Sequence, residues 1–312
     1  MDNRSLDVGV LVQRGLGLSS DNTALWRKNL CEGENNKSLS LFDAIMPDLV
    51  VSLTSYPHRF MQPDFLSVLK SLRNQKTNIN YQIVLSLFKD DISKIPLETR
   101  EYIQNNGIQI LACDEDIKSH KKYFYVMQRY AFIPVITVDD DVVYRNNLVE
   151  DMYGTYLENK GYVVCGRCCK MLRDGTGKIL PTEKWNTWQN THEIPSGCKD
   201  EDLFGIGCGG ILYPPEFCKE IKPYLRNVMS VVEPDDFLLY MLSRKCGLKV
   251  MVANTENRYK KSSLGLFGDY SNDCARDKFA LWQRNKETKV DDKNVGFLNK
   301  YGNLDELVKK PH

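Results

Sequence analysis

Short runs of β-branched and aliphatic residues, each closed by a proline, a glycine or a group of acids, alternate along this chain with stretches whose apolar residues recur every three or four positions. The first run is Asp48-Leu-Val-Val-Ser-Leu-Thr54. Pro57 ends it by fixing its own φ and pushing Tyr56 towards extended geometry. Phe65, Leu66, Val68, Leu69 and Leu72 then fall at helical spacing. Residues 81–88 read as a second strand that runs into Asp90-Asp91. Residues 96–105 read as a helix stopped by Gly107, and 108–112 as a third strand. A helix over 118–130 feeds a fourth strand, 135–138, whose continuous apolar run suits the centre of a parallel sheet. Strands alternating with helices predict an α/β fold with a mostly parallel sheet. Its first half is a Rossmann-like nucleotide-binding arrangement.

The pattern continues with a helix over 148–159 and a strand over 162–165. A long polar segment, 170–202, follows and carries Trp185, Trp188 and His192. A segment of that length inside a domain is a functional loop or a disordered one. Its tryptophans suit either an acceptor-facing loop or rings that pin the loop to the body. Next comes Gly205-Ile-Gly-Cys-Gly-Gly-Ile-Leu-Tyr-Pro-Pro215, where glycines let backbone approach a ligand closely and 211–213 is strand-like. Pro234 suits the first turn of a helix with Asp235 and Asp236 at its start and Gly247 as its stop. Residues 248–253 read as a strand. Residues 1–47, rich in Asn, Ser and Gly, read as an extension without sustained periodicity.

The chemistry starts where the fourth strand meets Asp139-Asp140-Asp141. Side chains alternate along extended chain, so Asp139 and Asp141 share one face and Asp140 takes the other. Two carboxylates at the carboxyl end of a central strand form a hard-oxygen site for Mg²⁺ or Mn²⁺. That end of an open α/β sheet is also where ligands bind. The alternative is a polar turn leaving the strand, but three adjacent acids repel one another unless a cation or hydrogen bonds offset them.

Composition narrows the partners. In 312 residues, 42 basic and 41 acidic side chains leave a net charge of +1, which gives no electrostatic case for nucleic acid. Ten irregularly spaced cysteines look like reduced thiols rather than a disulfide framework. No signal peptide opens the chain and no apolar run is long enough to span a bilayer. A cytoplasmic protein is therefore expected, with peripheral association at the inner face of the membrane left open.

Cys165-Gly-Arg-Cys168-Cys169 contains a CxxC with no second Cys/His pair at zinc-finger spacing, and His58, His120 and His192 stand isolated. Lys121-Lys122 suits either neutralising a diphosphate or a solvated helix face. No P-loop, GxSxG or HExxH motif is present.

Four stretches together resemble the GT-A glycosyltransferases, close to the family-2-like enzymes of bacterial polysaccharide synthesis. Val51-Ser-Leu-Thr-Ser-Tyr-Pro-His-Arg59 is similar to a first-strand signature of one subgroup. Asp139-Asp-Asp-Val-Val-Tyr144 sits where the family has its DxD motif, and Gly209-Gly-Ile-Leu-Tyr-Pro-Pro215 looks like its acceptor-side strand. Asp235-Asp-Phe-Leu-Leu-Tyr-Met-Leu-Ser-Arg-Lys-Cys-Gly247 resembles the acidic helix that ends in glycine. The family's next acid falls here on Leu238.

The resemblance implies a GT-A domain: a nucleotide-sugar-binding half over 48–145, an acceptor-binding half over 146–290, and a tail over 291–312. It implies a nucleotide-sugar donor (a UDP-sugar is favoured), a saccharide or glycolipid acceptor, and Mn²⁺ or Mg²⁺ held by Asp139 and Asp141. Donor contacts would come from Thr54, Tyr56, Arg59, Asp90, Asp91, Lys122, Asp139 and Asp140. Gly209, Gly210, Trp185 and Trp188 would face the acceptor. Asp236, beside Asp235, would be the base of an inverting transfer. The rival readings are a sugar-phosphate nucleotidyltransferase, which opens with a glycine- and arginine-rich loop that Ser55-Tyr-Pro-His-Arg59 lacks, and a catalytically silent carbohydrate-binding protein of the same fold.

Overall fold

A computed structural model describes residues 46–185, 194, 196–220, 235–254, 268–270 and 289–301. The extension at 1–45 lies outside them, as do Trp188 and His192.

The first half alternates as the sequence pattern predicts. Strand β1 (Leu49–Thr54) leads into a short turn of helix, α1 (Pro57–Phe60), and then α2 (Pro63–Arg73). Pro63 opens α2, where its missing N–H costs nothing. Phe65, Val68, Leu69 and Leu72 form the fully buried face of that helix. Strand β2 (Tyr81–Phe88), helix α3 (Leu97–Asn105) and strand β3 (Gln109–Cys113) follow. Gly107 takes φ +64° just past α3, a conformation that favours glycine. Helix α4 (Lys121–Arg129), preceded by a 3₁₀ turn at Lys118–His120, packs across β1 and β2 and delivers the chain to β4 (Val135–Thr137).

Strands β1, β2 and β3 run parallel in that order, and β4 lies parallel on the other flank of β1, with Val50 opposite Val135. The chain therefore builds outward to β3 and then crosses back past β1. This reversal leaves a crevice outside the carboxyl ends of β1 and β4, the place where open α/β sheets bind ligands. Ser55–Arg59 follow one strand and Asp139–Asp141 the other.

The second half completes one seven-stranded sheet. Strands β6 (Tyr162–Cys165) and β9 (Ile211–Tyr213) have the bounds read from sequence, and β10 (Lys249–Val252) forms the far edge. The order is β10-β6-β9-β4-β1-β2-β3. Strand β9 is antiparallel to both β4 and β6, and the remaining neighbours are parallel. The fold is thus α/β with a mostly parallel central sheet. Helix α5 (Leu148–Glu158) packs on β6 and β9.

Smaller pairings brace the crevice. After the acids, β5 (Val142–Tyr144) pairs antiparallel with β11 (Gly268–Tyr270), so a late segment returns to the acidic turn. Strand β7 (Cys168–Lys170) pairs with β8 (Leu203–Gly205). Of the polar segment between them, residues 171–185, 194 and 196–202 are described, and Lys199 bridges to Met251. After α6 (Pro215–Glu220) and α7 (Asp235–Lys245), helix α8 (Val290–Tyr301) starts one residue before the stretch read as a tail and runs into it. Asn299 of α8 both donates to and accepts from the Ile179 backbone at 2.7 Å, and Asp292 accepts from Thr182. These bonds hold the polar segment against the body. Among the described residues no helix is long and apolar enough to cross a membrane.

Candidate active site

The acidic turn and the start of α7 meet on one lysine. Lys122, in the first turn of α4, is buried, and its ammonium lies 2.8 Å from Asp139 Oδ1 and 2.6 Å from Asp235 Oδ2. Burial alone would lower its pKa. The carboxylates of Asp139, Asp235 and Asp236 outweigh that and hold it well above the ordinary lysine value. The ammonium is a fixed positive charge inside a cluster of acids.

The two acids of α7 part company. Burial opposes ionisation of Asp235, but Lys122 and then His120 more than offset it, with Ser119 adding a hydrogen bond, so its carboxyl is held below the usual range. Asp236 has burial against it and the Asp235 charge beside it, and its carboxyl is pushed up to about 8. It accepts one hydrogen bond, from the Gly207 backbone N–H, at 3.0 Å. A carboxylate at a helix start is ordinarily a weak base. Here burial gives Asp236 the basicity that a proton acceptor near neutral pH needs.

In the acidic turn, Asp140 and Asp139 take different partners. Asp140 turns inward, where Ser55 Oγ donates to its Oδ2 at 2.5 Å and Arg59 Nη2 donates to its carbonyl oxygen at 2.9 Å. Burial, then repulsion from Asp141, pushes its carboxyl up to about 7. Asp139 keeps about a third of its side chain, 31%, open to solvent. Its backbone N–H donates to the Tyr144 hydroxyl at 2.9 Å, and that hydroxyl donates to the Cys208 carbonyl at 3.1 Å. Burial keeps the Tyr144 phenol protonated by raising its pKa well above the usual value.

Several residues read from sequence as ligand contacts are committed to the protein instead. Arg59 is buried and forms a two-pronged pair with Asp64 at 2.7 and 3.0 Å, so it buttresses the turn after β1. Lys121 pairs with Asp116, away from the acids that hold Lys122. The Thr54 hydroxyl donates to the Ser86 carbonyl on β2 at 2.7 Å. Asp91 pairs with Lys94 at 2.7 Å, whereas Asp90 is exposed. Tyr56 is 40% exposed at the crevice rim, its ring stacked over His58 with centroids 6.2 Å apart. It presents a flat apolar face there.

Trp185 is a correction to the acceptor-facing reading. Its indole is buried against Phe204 and Phe237, and its Nε1 donates to the Leu180 carbonyl at 2.8 Å. It pins the polar segment to the body. Gly209 and Gly210 are packing positions. A Cβ on Gly209 would lie 2.3 Å from Arg167 Cβ, and Gly210 takes φ +80° beneath Leu148. The glycine beside Asp236 is Gly207, which belongs to the glycine-rich stretch but is not one of the two glycines expected to face the acceptor. A Cβ there would lie 2.6 Å from Asp236 Oδ1. The alternate-glycine spacing of 205, 207 and 209 was the available signal.

The donor set for a metal is partial. Among the described residues no group of three or more His, Cys, Asp and Glu side chains could hold an ion. Asp139 and Asp141 supply hard oxygens, and one Asp139 oxygen is shared with Lys122. Such a pair fits Mg²⁺ or Mn²⁺ where substrate phosphates and water complete the shell. The CxxC thiols are buried at the corner between β6 and β7, where burial and Cys165 push Cys168 well above the usual thiol value.

No family model matches the sequence, and no curated protein matches it. Solved structures do. A structure of TarS 1-349 from S. aureus is 13% identical, with a TM-score of 0.47, covering 84% of this chain and 75% of its own. A structure of the same fragment with UDP-GlcNAc is 14% identical, with a TM-score of 0.43, covering 70% and 60%. The mannosyltransferase PcManGT from Pyrobaculum calidifontis, in complex with GDP-Man and Mn²⁺, is 9% identical, with a TM-score of 0.45, covering 80% and 67%. The chain spans only 37% of a longer S. aureus TarS structure.

Proposed function

We propose that this chain is a GT-A-type glycosyltransferase. It moves a sugar from a nucleotide-diphosphate donor, a UDP-sugar by preference, to a hydroxyl of a saccharide or glycolipid, in bacterial surface polysaccharide synthesis. One observation carries the reading. Lys122 joins the acidic turn at the switch point to the start of α7, lying 2.8 Å from Asp139 and 2.6 Å from Asp235, whose chain neighbour is the part-buried Asp236. A donor-holding turn facing a proton acceptor is what in-line displacement at an anomeric carbon requires.

Tyr56 and the turn after β1 would take the nucleoside, and Asp139 and Asp141 would hold the divalent ion. When bound, that ion supplies neutralisation of the charge developing on the diphosphate. Asp236 accepts the proton of the acceptor hydroxyl. The oxygen then bonds to the anomeric carbon as the carbon–oxygen bond to the diphosphate breaks, inverting the centre. Gly207 holds the Asp236 carboxylate, and Asp235 keeps Lys122 charged between the two halves. The test is release of nucleoside diphosphate from a panel of nucleotide sugars with Mn²⁺, with and without oligosaccharide acceptors. Asp236→Asn should abolish transfer and keep nucleotide binding by calorimetry, while Asp141→Ala should lose the metal-dependent part of that binding. Release of pyrophosphate from a nucleoside triphosphate would favour a nucleotidyltransferase instead.

A further inference from the structure

The two halves of the site are joined by a second bridge that carries no charge. Tyr144 is 4% exposed, and its hydroxyl uses both of its hydrogen-bonding roles on backbone: it accepts from the Asp139 N–H and donates to the Cys208 carbonyl. Cys208 lies in the 3₁₀ turn Gly207–Gly209, one residue beyond the N–H that holds Asp236. The path from the acidic turn to the base thus reads Asp139 N–H, Tyr144 hydroxyl, Cys208 carbonyl, Gly207 N–H, Asp236 carboxylate.

We infer that Tyr144 is a positioning residue whose phenol sets the spacing between the donor-side acidic turn and the acceptor-side base. The phenol is itself held from two directions. The Tyr144 backbone N–H donates to Ser71 Oγ on α2 at 3.0 Å, and Tyr144 pairs with Gly268 across the β5–β11 ladder. On the far side, the glycine turn is fastened to the β6–β7 corner by Ile206 N–H donating to the Arg167 carbonyl and Gly166 N–H donating to the Gly210 carbonyl, both at 2.9 Å. With both ends anchored, the hydroxyl closes the remaining gap. The Lys122 link depends on the charges of the acids it joins, whereas this one joins backbone to backbone and holds whatever those charges do.

The inference rests on the proposed role of Asp236, and the experiment separates the two. Tyr144→Phe removes only the hydroxyl. Tyr81→Phe is the matched control, because the Tyr81 hydroxyl also bonds backbone carbonyls, those of Leu72 and Arg73, far from the site. Both variants are compared with the parent for melting temperature, nucleotide affinity by calorimetry, and steady-state sugar transfer. The expected result is comparable melting shifts, nucleotide affinity and donor KM within about threefold of the parent, and a transfer kcat lowered about tenfold or more in Tyr144→Phe alone, the effect of a small misplacement of reacting groups. An active parent with Tyr144→Phe matching Tyr81→Phe overturns the inference and leaves the glycosyltransferase reading standing. A parent without transfer from any nucleotide sugar overturns that reading and the inference together.

Discussion

Gly207 donates its backbone N–H to the Asp236 carboxylate at 3.0 Å and, by lacking a side chain, leaves the space that carboxylate occupies. A Cβ at this position would lie 2.6 Å from Oδ1 and 3.4 Å from Oδ2. Gly207→Ala should therefore displace the base. Transfer should fall roughly 10- to 100-fold with nucleotide affinity unchanged. Gly154→Ala, in α5 with nothing within 4 Å of the added Cβ, should instead stabilise the protein by about 0.5–1 kcal/mol in urea unfolding.

Asp236 must be ionised to accept a proton. With its carboxyl pushed up to about 8, kcat should climb with pH through neutrality and level off above about pH 8. The stability effect runs the other way. Between the ordinary carboxyl value of 3.8 and about 8, folded Asp236 keeps a proton that the unfolded chain has released, so its contribution to stability falls as pH rises. Asp236→Asn should remove that fall, gaining stability relative to the parent from pH 5 to pH 8 in thermal melts.

Lys122 is the cation that lets the acids at both sites coexist. Lys122→Met would leave Asp139, Asp235 and Asp236 facing one another, a loss on the order of 3–5 kcal/mol by analogy with broken buried pairs. Because the penalty is charge repulsion, it should be larger at pH 8 than at pH 5 in urea titrations. It should also shrink in an Asp235→Asn background, giving a measurable coupling energy.

Trp185 separates pinning from acceptor contact. Trp185→Ala removes a buried indole from Phe204 and Phe237, and urea unfolding should show a loss of about 3–5 kcal/mol. The KM for acceptor should stay within about twofold of the parent. A large rise in that KM with little loss of stability would return the ring to the acceptor side.

The element pattern was legible because it rests on local rules. Side-chain period, proline and glycine stops, and helix-start acids mark 162–165 and 211–213 to the residue, and place 135–138 and 148–159 to within one. The position of Asp139, Asp140 and Asp141 could be read for the same reason, since they are consecutive at the end of an apolar strand. Arg59 and Trp185 could not, because a charged or aromatic side chain looks the same in sequence whether it meets a ligand or its own protein. Gly207 was hidden among glycines whose different duties depend on neighbours far along the chain.

By itself, the sequence determined which residues form strands and helices, and that carboxylates stand at two strand or helix ends, since these follow from backbone sterics and nearest-neighbour chemistry. Only the tertiary structure decided that Lys122 pairs with acids from both places and that Tyr144 spans the same gap. It also decided that burial pushes the Asp236 carboxyl up to about 8. Each of these depends on through-space distance and on exclusion of water, and neither exists until the chain has closed on itself.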